Sequence, residues 1–118
     1  MYDGAMPSKH AAFVQYVAED ILSDIDVKTR PMFGGHGFYH DGKMFGLEAD
    51  GKIYFKVSDK NRTDYEQVGS EPFTYAVQGK KTMTMSYWTL PEEVLENREL
   101  AVEWANKAIR VAFAAKKK

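Results

Sequence analysis

Two aspartate–glycine pairs, Asp41-Gly42 and Asp50-Gly51, interrupt short runs in which apolar and polar residues alternate. An Asp-Gly pair accepts the positive φ angles of the tightest strand reversals, so each pair predicts a β-hairpin. Two successive hairpins confine the middle of the chain to an antiparallel meander, because parallel neighbours need a crossover of about a dozen residues or more. A two-residue loop at Asp41-Gly42 pairs Phe38 with Phe45 on one face. The same loop at Asp50-Gly51 would set Phe45 against Lys56, mixing core with charge. A three-residue loop, Ala49-Asp50-Gly51, sets Glu48 against Lys52, Leu47 against Ile53 and Phe45 against Phe55, and is the expected register. One sheet face then carries Phe38, Phe45, Leu47, Ile53, Phe55 and Val57 and must be covered by helices. The other carries Tyr39, Met44, Glu48, Tyr54 and Lys56 and is left to water or a partner.

The flanking segments supply the covering helices. Between Lys9 and Leu22 the apolar residues Phe13, Val14, Val17, Ile21 and Leu22 recur at three- and four-residue steps, one stripe of an amphipathic helix that Ser8 is expected to cap. Val27 to Phe33 reads as a strand, and Pro31 places it at an edge or a bulge. Asp59 is the expected cap of a short helix over Lys60 to Val68, stopped by Gly69. Phe73 to Val77 and Thr82 to Trp88 form a further strand pair across Gln78-Gly79-Lys80-Lys81. Leu90-Pro91-Glu92-Glu93 opens a helix with proline and acids, and Asn97 caps the last one. That last helix buries Leu100, Trp104, Ala108, Ile109, Val111 and Ala112. The order αββββαββαα predicts an α+β fold of two layers, an antiparallel sheet with helices mainly on one face.

Length and composition narrow the chemistry. The 118 residues amount to one domain spanning 1–118, with residues 1–6 expected to be an appended remnant or disordered. Absence of cysteine excludes disulfides, thiol catalysis and Cys-ligated metals, and suits the cytoplasm. No apolar run is long enough to span a bilayer. The net charge of −1 divides into −5 for Met1–Asn97 and +4 for Arg98–Lys118. A basic terminal helix suits its own macrodipole, and the acidic remainder argues against direct DNA binding.

The run Arg30-Pro31-Met32-Phe33-Gly34-Gly35-His36-Gly37-Phe38-Tyr39 is distinctive. So are Asp41-Gly42-Lys43-Met44-Phe45-Gly46-Leu47, Asp50-Gly51-Lys52-Ile53-Tyr54-Phe55-Lys56-Val57, Glu71-Pro72-Phe73-Thr74-Tyr75 and Met83-Thr84-Met85-Ser86-Tyr87-Trp88. Together, from about His10 to Ala115, they resemble the TfoX N-terminal domain family. The resemblance implies a secretion-chaperone-like α+β fold and a link to regulators of bacterial competence genes. Longer members resemble a two-domain design, and this chain looks like the stand-alone N-terminal form. The resemblance implies no catalytic residues.

The residues themselves carry no catalytic motif. Gly34-Gly35-His36-Gly37 matches neither a P-loop nor a dinucleotide fingerprint, and a strand rather than a helix follows it. His36 and His40 are too far apart along a strand to chelate one ion, so no metal and no cofactor are expected. Arg30, Met32, Tyr39, Tyr54 and Lys56, with Gly34, Gly35 and His36 nearby, form the candidate binding set, a basic–aromatic patch of the kind that holds anions, peptides or single strands. The expected function is a non-enzymatic regulatory or protein-interaction domain with a protein partner, or a homodimer through the open face. The alternative is small-molecule or anion binding, or an unrecognised enzyme, with Arg30, His36 and Lys56 around the glycine-rich turn.

Overall fold

A computed structural model describes residues 10–32, 35–76 and 82–114. The chain begins with α1 (Ala11–Tyr16), which widens into a π-helical turn over Val17–Ile21. Strands β1 (Lys28–Met32), β2 (Gly35–His40), β3 (Lys43–Ala49) and β4 (Lys52–Lys56) follow. Then come α2 (Arg62–Gln67), β5 (Pro72–Ala76), β6 (Thr82–Thr89), α3 (Glu92–Leu95) and α4 (Arg98–Ala114). This is the expected αββββαββαα order. The six strands form one antiparallel sheet, β1-β2-β3-β4-β6-β5. Pro31 lies on β1, an edge strand, where its missing N–H breaks no inner ladder. Gln78 to Lys81, Ser8 and Phe33 fall outside the described residues.

Both Asp-Gly pairs form two-residue turns with positive φ, 51° and 80° at Asp41 and Gly42, 57° and 83° at Asp50 and Gly51. The second turn corrects the expected register. Ala49 pairs with Lys52, Glu48 with Ile53, Leu47 with Tyr54 and Gly46 with Phe55. The first hairpin starts as expected, with His40 opposite Lys43, but a β-bulge then shifts it. Tyr39 faces Met44 while Phe38 faces Gly46, so Phe45 is an extra residue. The bulge resolves the conflict that made the two-residue turn look unfavourable. Phe45 turns into the core beside Phe38 and Phe55, at ring separations of 6.4 and 5.7 Å. Gly46 shares that side and leaves room for Phe55, whose ring atom Cδ1 would lie 3.0 Å from an added Cβ.

The inserted residue exchanges two side chains between the faces. Leu47 lies away from the helices, and Glu48 lies on the helix side. Both assignments differ from the expectation, because strict alternation holds only up to Phe45. Phe38, Phe45, Ile53, Phe55 and Val57 keep their expected places in the core. Each buried phenylalanine contributes about 2–3 kcal/mol of transfer free energy.

The helix layer closes over these rings. Val14 and Val17 of the first helix and Ala101, Trp104, Ala105, Ala108, Ile109 and Ala112 of α4 are buried in the same cluster. Tyr65 of α2 is buried against Trp104, at 4.6 Å between ring centres. Asn97 caps α4 as expected, its Oδ1 accepting from the Leu100 N–H at 3.2 Å. Asp59 does not cap α2. It pairs with Arg62, and the helix starts only after Asn61, whose buried side chain turns back toward β4. Gly69, at φ 75°, follows the end of α2 as expected.

Candidate functional site

The helix-free side of the sheet is built by register. Arg30 shares a row with Gly37, Leu47 and Tyr54, and the adjacent row holds Lys28, Tyr39, Met44, Lys56 and Tyr87. Paired residues point to the same side, so these side chains form one surface. The Arg30 guanidinium lies 5.2 Å from the centre of the Tyr39 ring, and Lys56 Nζ lies 4.8 Å from that of Tyr87. Both are cation–π distances. Lys56 Nζ also donates to Ser86 Oγ at 3.4 Å, and the Tyr87 hydroxyl donates to the Met44 carbonyl at 3.4 Å. Tyr54 meets Phe73 edge-on at 4.9 Å. An added Cβ on Gly37 would lie 2.9 Å from Met44 Sδ and from Tyr39 Cε1, and 3.2 Å from Met32 Sδ. Gly37 is therefore the floor over which two thioethers and a ring edge close.

This surface is partly dry. Leu47 is only 3% exposed although no described helix covers it, so neighbouring side chains shield it. Burial lowers the Lys56 amine below the usual lysine value. Burial, assisted by the nearby Tyr39 phenol, pushes Tyr87 up to about 12.

Of the candidate set, Arg30, Met32, Tyr39, Tyr54 and Lys56 share this side. Gly34 lies outside the described residues. Gly35 opens β2, buried, and a Cβ there would run into the backbone carbonyl of Glu48. Its role is close strand approach, without positive φ and without an anion cradle. His36 faces the helix side, opposite Glu48. The sheet thus separates His36 from Arg30 and Lys56.

The His36 side is an internal polar contact. Its Nδ1–H donates to Glu48 Oε1 at 2.8 Å, and Glu48 Oε2 accepts the Gly51 N–H at 2.8 Å. The Glu48 side chain has no exposed surface. The carboxylate ties β2 to the β3–β4 turn. Strict alternation had hidden it, and the signal that would have revealed it is the Asp50-Gly51 turn taken at its preferred length. His40 makes a second tie, donating from Nδ1 to the Asp26 carbonyl at 2.9 Å and meeting Phe113 edge-on. Among the described residues no three His, Cys, Asp or Glu are placed to hold a metal ion. None of the described helices is long and apolar enough to cross a membrane.

A groove of about 590 Å³ lies between α1, the β3–β4 turn and α3, lined in part by Phe13, Tyr16, Ile53, Leu90 and Leu95. It contains none of the candidate residues.

Comparison with known proteins agrees with the fold. The family model described as the TfoX N-terminal domain matches residues 20–112. A relative from Aliivibrio fischeri (strain ATCC 700601 / ES114), named DNA transformation protein TfoX1, is 34% identical over 65 residues. That match covers 53% of this chain and 30% of the relative, so the chain spans less than a third of that protein. With a family match running from the π-helical turn after α1 through most of α4, the chain belongs to the TfoX N-terminal domain family.

Proposed function

We propose that this domain is a non-enzymatic, cytoplasmic regulatory module, related in role to competence regulators, that binds a protein partner through the helix-free side of its sheet. The observation that carries this reading is the ordered surface around Gly37. Arg30 lies on Tyr39, Lys56 on Tyr87, and Met32 and Met44 both lie over Gly37, with no covering layer among the described residues. A sheet side exposed only to water has no need of buried leucine and half-buried lysine. The link to DNA transformation is supported by the family and by the name of the similar Aliivibrio protein.

The alternative, a small-molecule, anion or catalytic site, draws on Arg30, His36 and Lys56 together. Their placement on opposite sides of the sheet gives it less support, as does the enclosure of Glu48 by His36 and Gly51.

Site-specific photocrosslinking in the source cell tests the proposal. A benzophenone side chain at Tyr54 should capture a defined protein, and the same group at Gln15 or Glu103 on the helix layer should not. Met44→Glu should abolish that crosslink and reduce transformation while the melting temperature stays within a few degrees. Capture from the helix layer instead, or undiminished transformation in Met44→Glu, would refute it.

A further inference from the structure

The occupant of this surface can be narrowed by its charge, an inference that rests on the open-face function proposed above. Among the described strand residues, the charged side chains that the register sends to the helix-free side are Lys28, Arg30, Lys52 and Lys56. All four are cations, and neither Asp nor Glu joins them. Lys28 has Asp26 at 4.0 Å, whereas Arg30, Lys52 and Lys56 make no ion pair among the described residues. Elsewhere among the described residues some cations are matched, while Lys43, Lys60, Arg98 and Arg110 also make no ion pair. Arg62 pairs with Asp59 and Glu66, and Lys107 with Asp64 and Glu103. The described helices carry exposed acids, among them Glu19, Asp20, Glu92, Glu93 and Glu99, beside the exposed cations Arg98 and Arg110. Among the described residues the strand charges on the helix-free side are thus all positive, whereas the helices hold both signs.

We infer that the helix-free side binds an acidic, extended protein segment, whose carboxylates meet Arg30 and Lys56 and whose intervening apolar side chain lies on Met32 and Met44 over Gly37. The guanidinium of Arg30 offers a planar fork to a carboxylate while its own face rests on Tyr39. The Lys56 ammonium is half-buried with only a hydroxyl and a ring beside it, so a carboxylate would replace the water it has lost. Arg30 and Lys56 stand three strands and one side-chain row apart, roughly 15 Å, which is about four residues of extended chain. Thioethers between them accept varied apolar groups.

Single-stranded nucleic acid fits less well. Its bases need open ring faces to stack upon. Here Arg30 covers a face of Tyr39, Lys56 covers Tyr87, and Tyr87 is 5% exposed.

Selection of a random twelve-residue peptide library on the whole chain tests this. Enriched peptides should carry two or more Asp or Glu about four positions apart with an apolar residue between. The best of them should bind at least tenfold more weakly to Arg30→Gln and to Lys56→Gln, and at least tenfold more weakly when its acids become Asn or Gln. Arg30→Glu should recover binding to a peptide with Lys at the matching position. Unchanged thermal melting of the variants excludes unfolding as the cause. Enrichment of neutral or basic peptides that still protect open-face amides from exchange would overturn the acidic partner and leave the open-face function standing. Protection confined to the helices would overturn both. No enrichment, tighter binding of a single-stranded oligonucleotide, or a dimer in light scattering that Arg30→Gln dissolves would each overturn the inference.

Discussion

Glu48 is the residue whose neighbours most depend on it. Its carboxylate receives His36 Nδ1–H and the Gly51 N–H in a place without solvent. Hydrogen bonds to a charged group are worth more than neutral ones, and leaving their donors buried without an acceptor costs still more. Glu48→Ala should lower the urea-derived stability by about 3–5 kcal/mol, and Glu48→Gln by clearly less, since an amide oxygen still accepts from Gly51. Equal losses in the two variants would mean that side-chain volume, not hydrogen bonding, holds this turn. At this scale the sequence was readable where chemistry is local. The Asn97 cap, the edge position of Pro31 and the stop at Gly69 each follow from one residue's preferences. Asp59 and Asn61 both suit a helix start, and ion pairing with Arg62 draws Asp59 away from that role.

Elements were legible in kind and order, and the register of β3 was not. Two local rules conflicted there. Matching of apolar faces favoured a three-residue loop, whereas Asp50-Gly51 favours two residues. The turn won because β3 could absorb the mismatch elsewhere, at Phe45. Gly46 is the element-level sign of that absorption, since it sits where Phe45 and Phe55 converge. A methyl group there would lie 3.0 Å from both Phe55 Cδ1 and the Tyr54 carbonyl oxygen. Gly46→Ala should therefore cost about 1–3 kcal/mol by overpacking, measured by chemical denaturation. The candidate patch suffered little from the slip. Arg30, Tyr39 and Met44 lie before the bulge, and Tyr54 and Lys56 keep their parity on β4. Leu47 and Glu48, which lie beyond it on β3, exchanged sides.

Across the whole molecule two buried phenols, Tyr65 and Tyr87, are raised and one lysine is lowered, which sets how stability varies with alkalinity. Tyr87 is pushed to about 12 and Tyr65 also upward by burial, so between pH 10 and 12 the folded chain binds more protons than the unfolded one. Stability must fall with rising pH across that window. Lys56 is lowered from 10.5, so the folded chain binds fewer protons just below that value, and stability rises slightly as pH approaches it. The expected profile climbs weakly to about pH 10 and then drops. Tyr87→Phe should remove about 2–3 kcal/mol of the drop, whatever its effect at neutral pH, since one pKa unit is about 1.4 kcal/mol. A flat profile to pH 12, followed by urea melts, would contradict the burial of these phenols.

The single inserted residue at Phe45 has one more effect, on electrical sign. An uninterrupted β3 would carry Glu48 to the helix-free side, in the row next to Arg30 and Tyr54, and place Leu47 beneath the helices. That side would then present a carboxylate among its cations, an internal salt that shuns acidic company. One residue of extra backbone instead sends the anion inward to a histidine and leaves only cations among the charged strand residues described on the outer side. A deletion at this strand would thus weaken the pull of the sheet on acidic partners without altering a single charged residue.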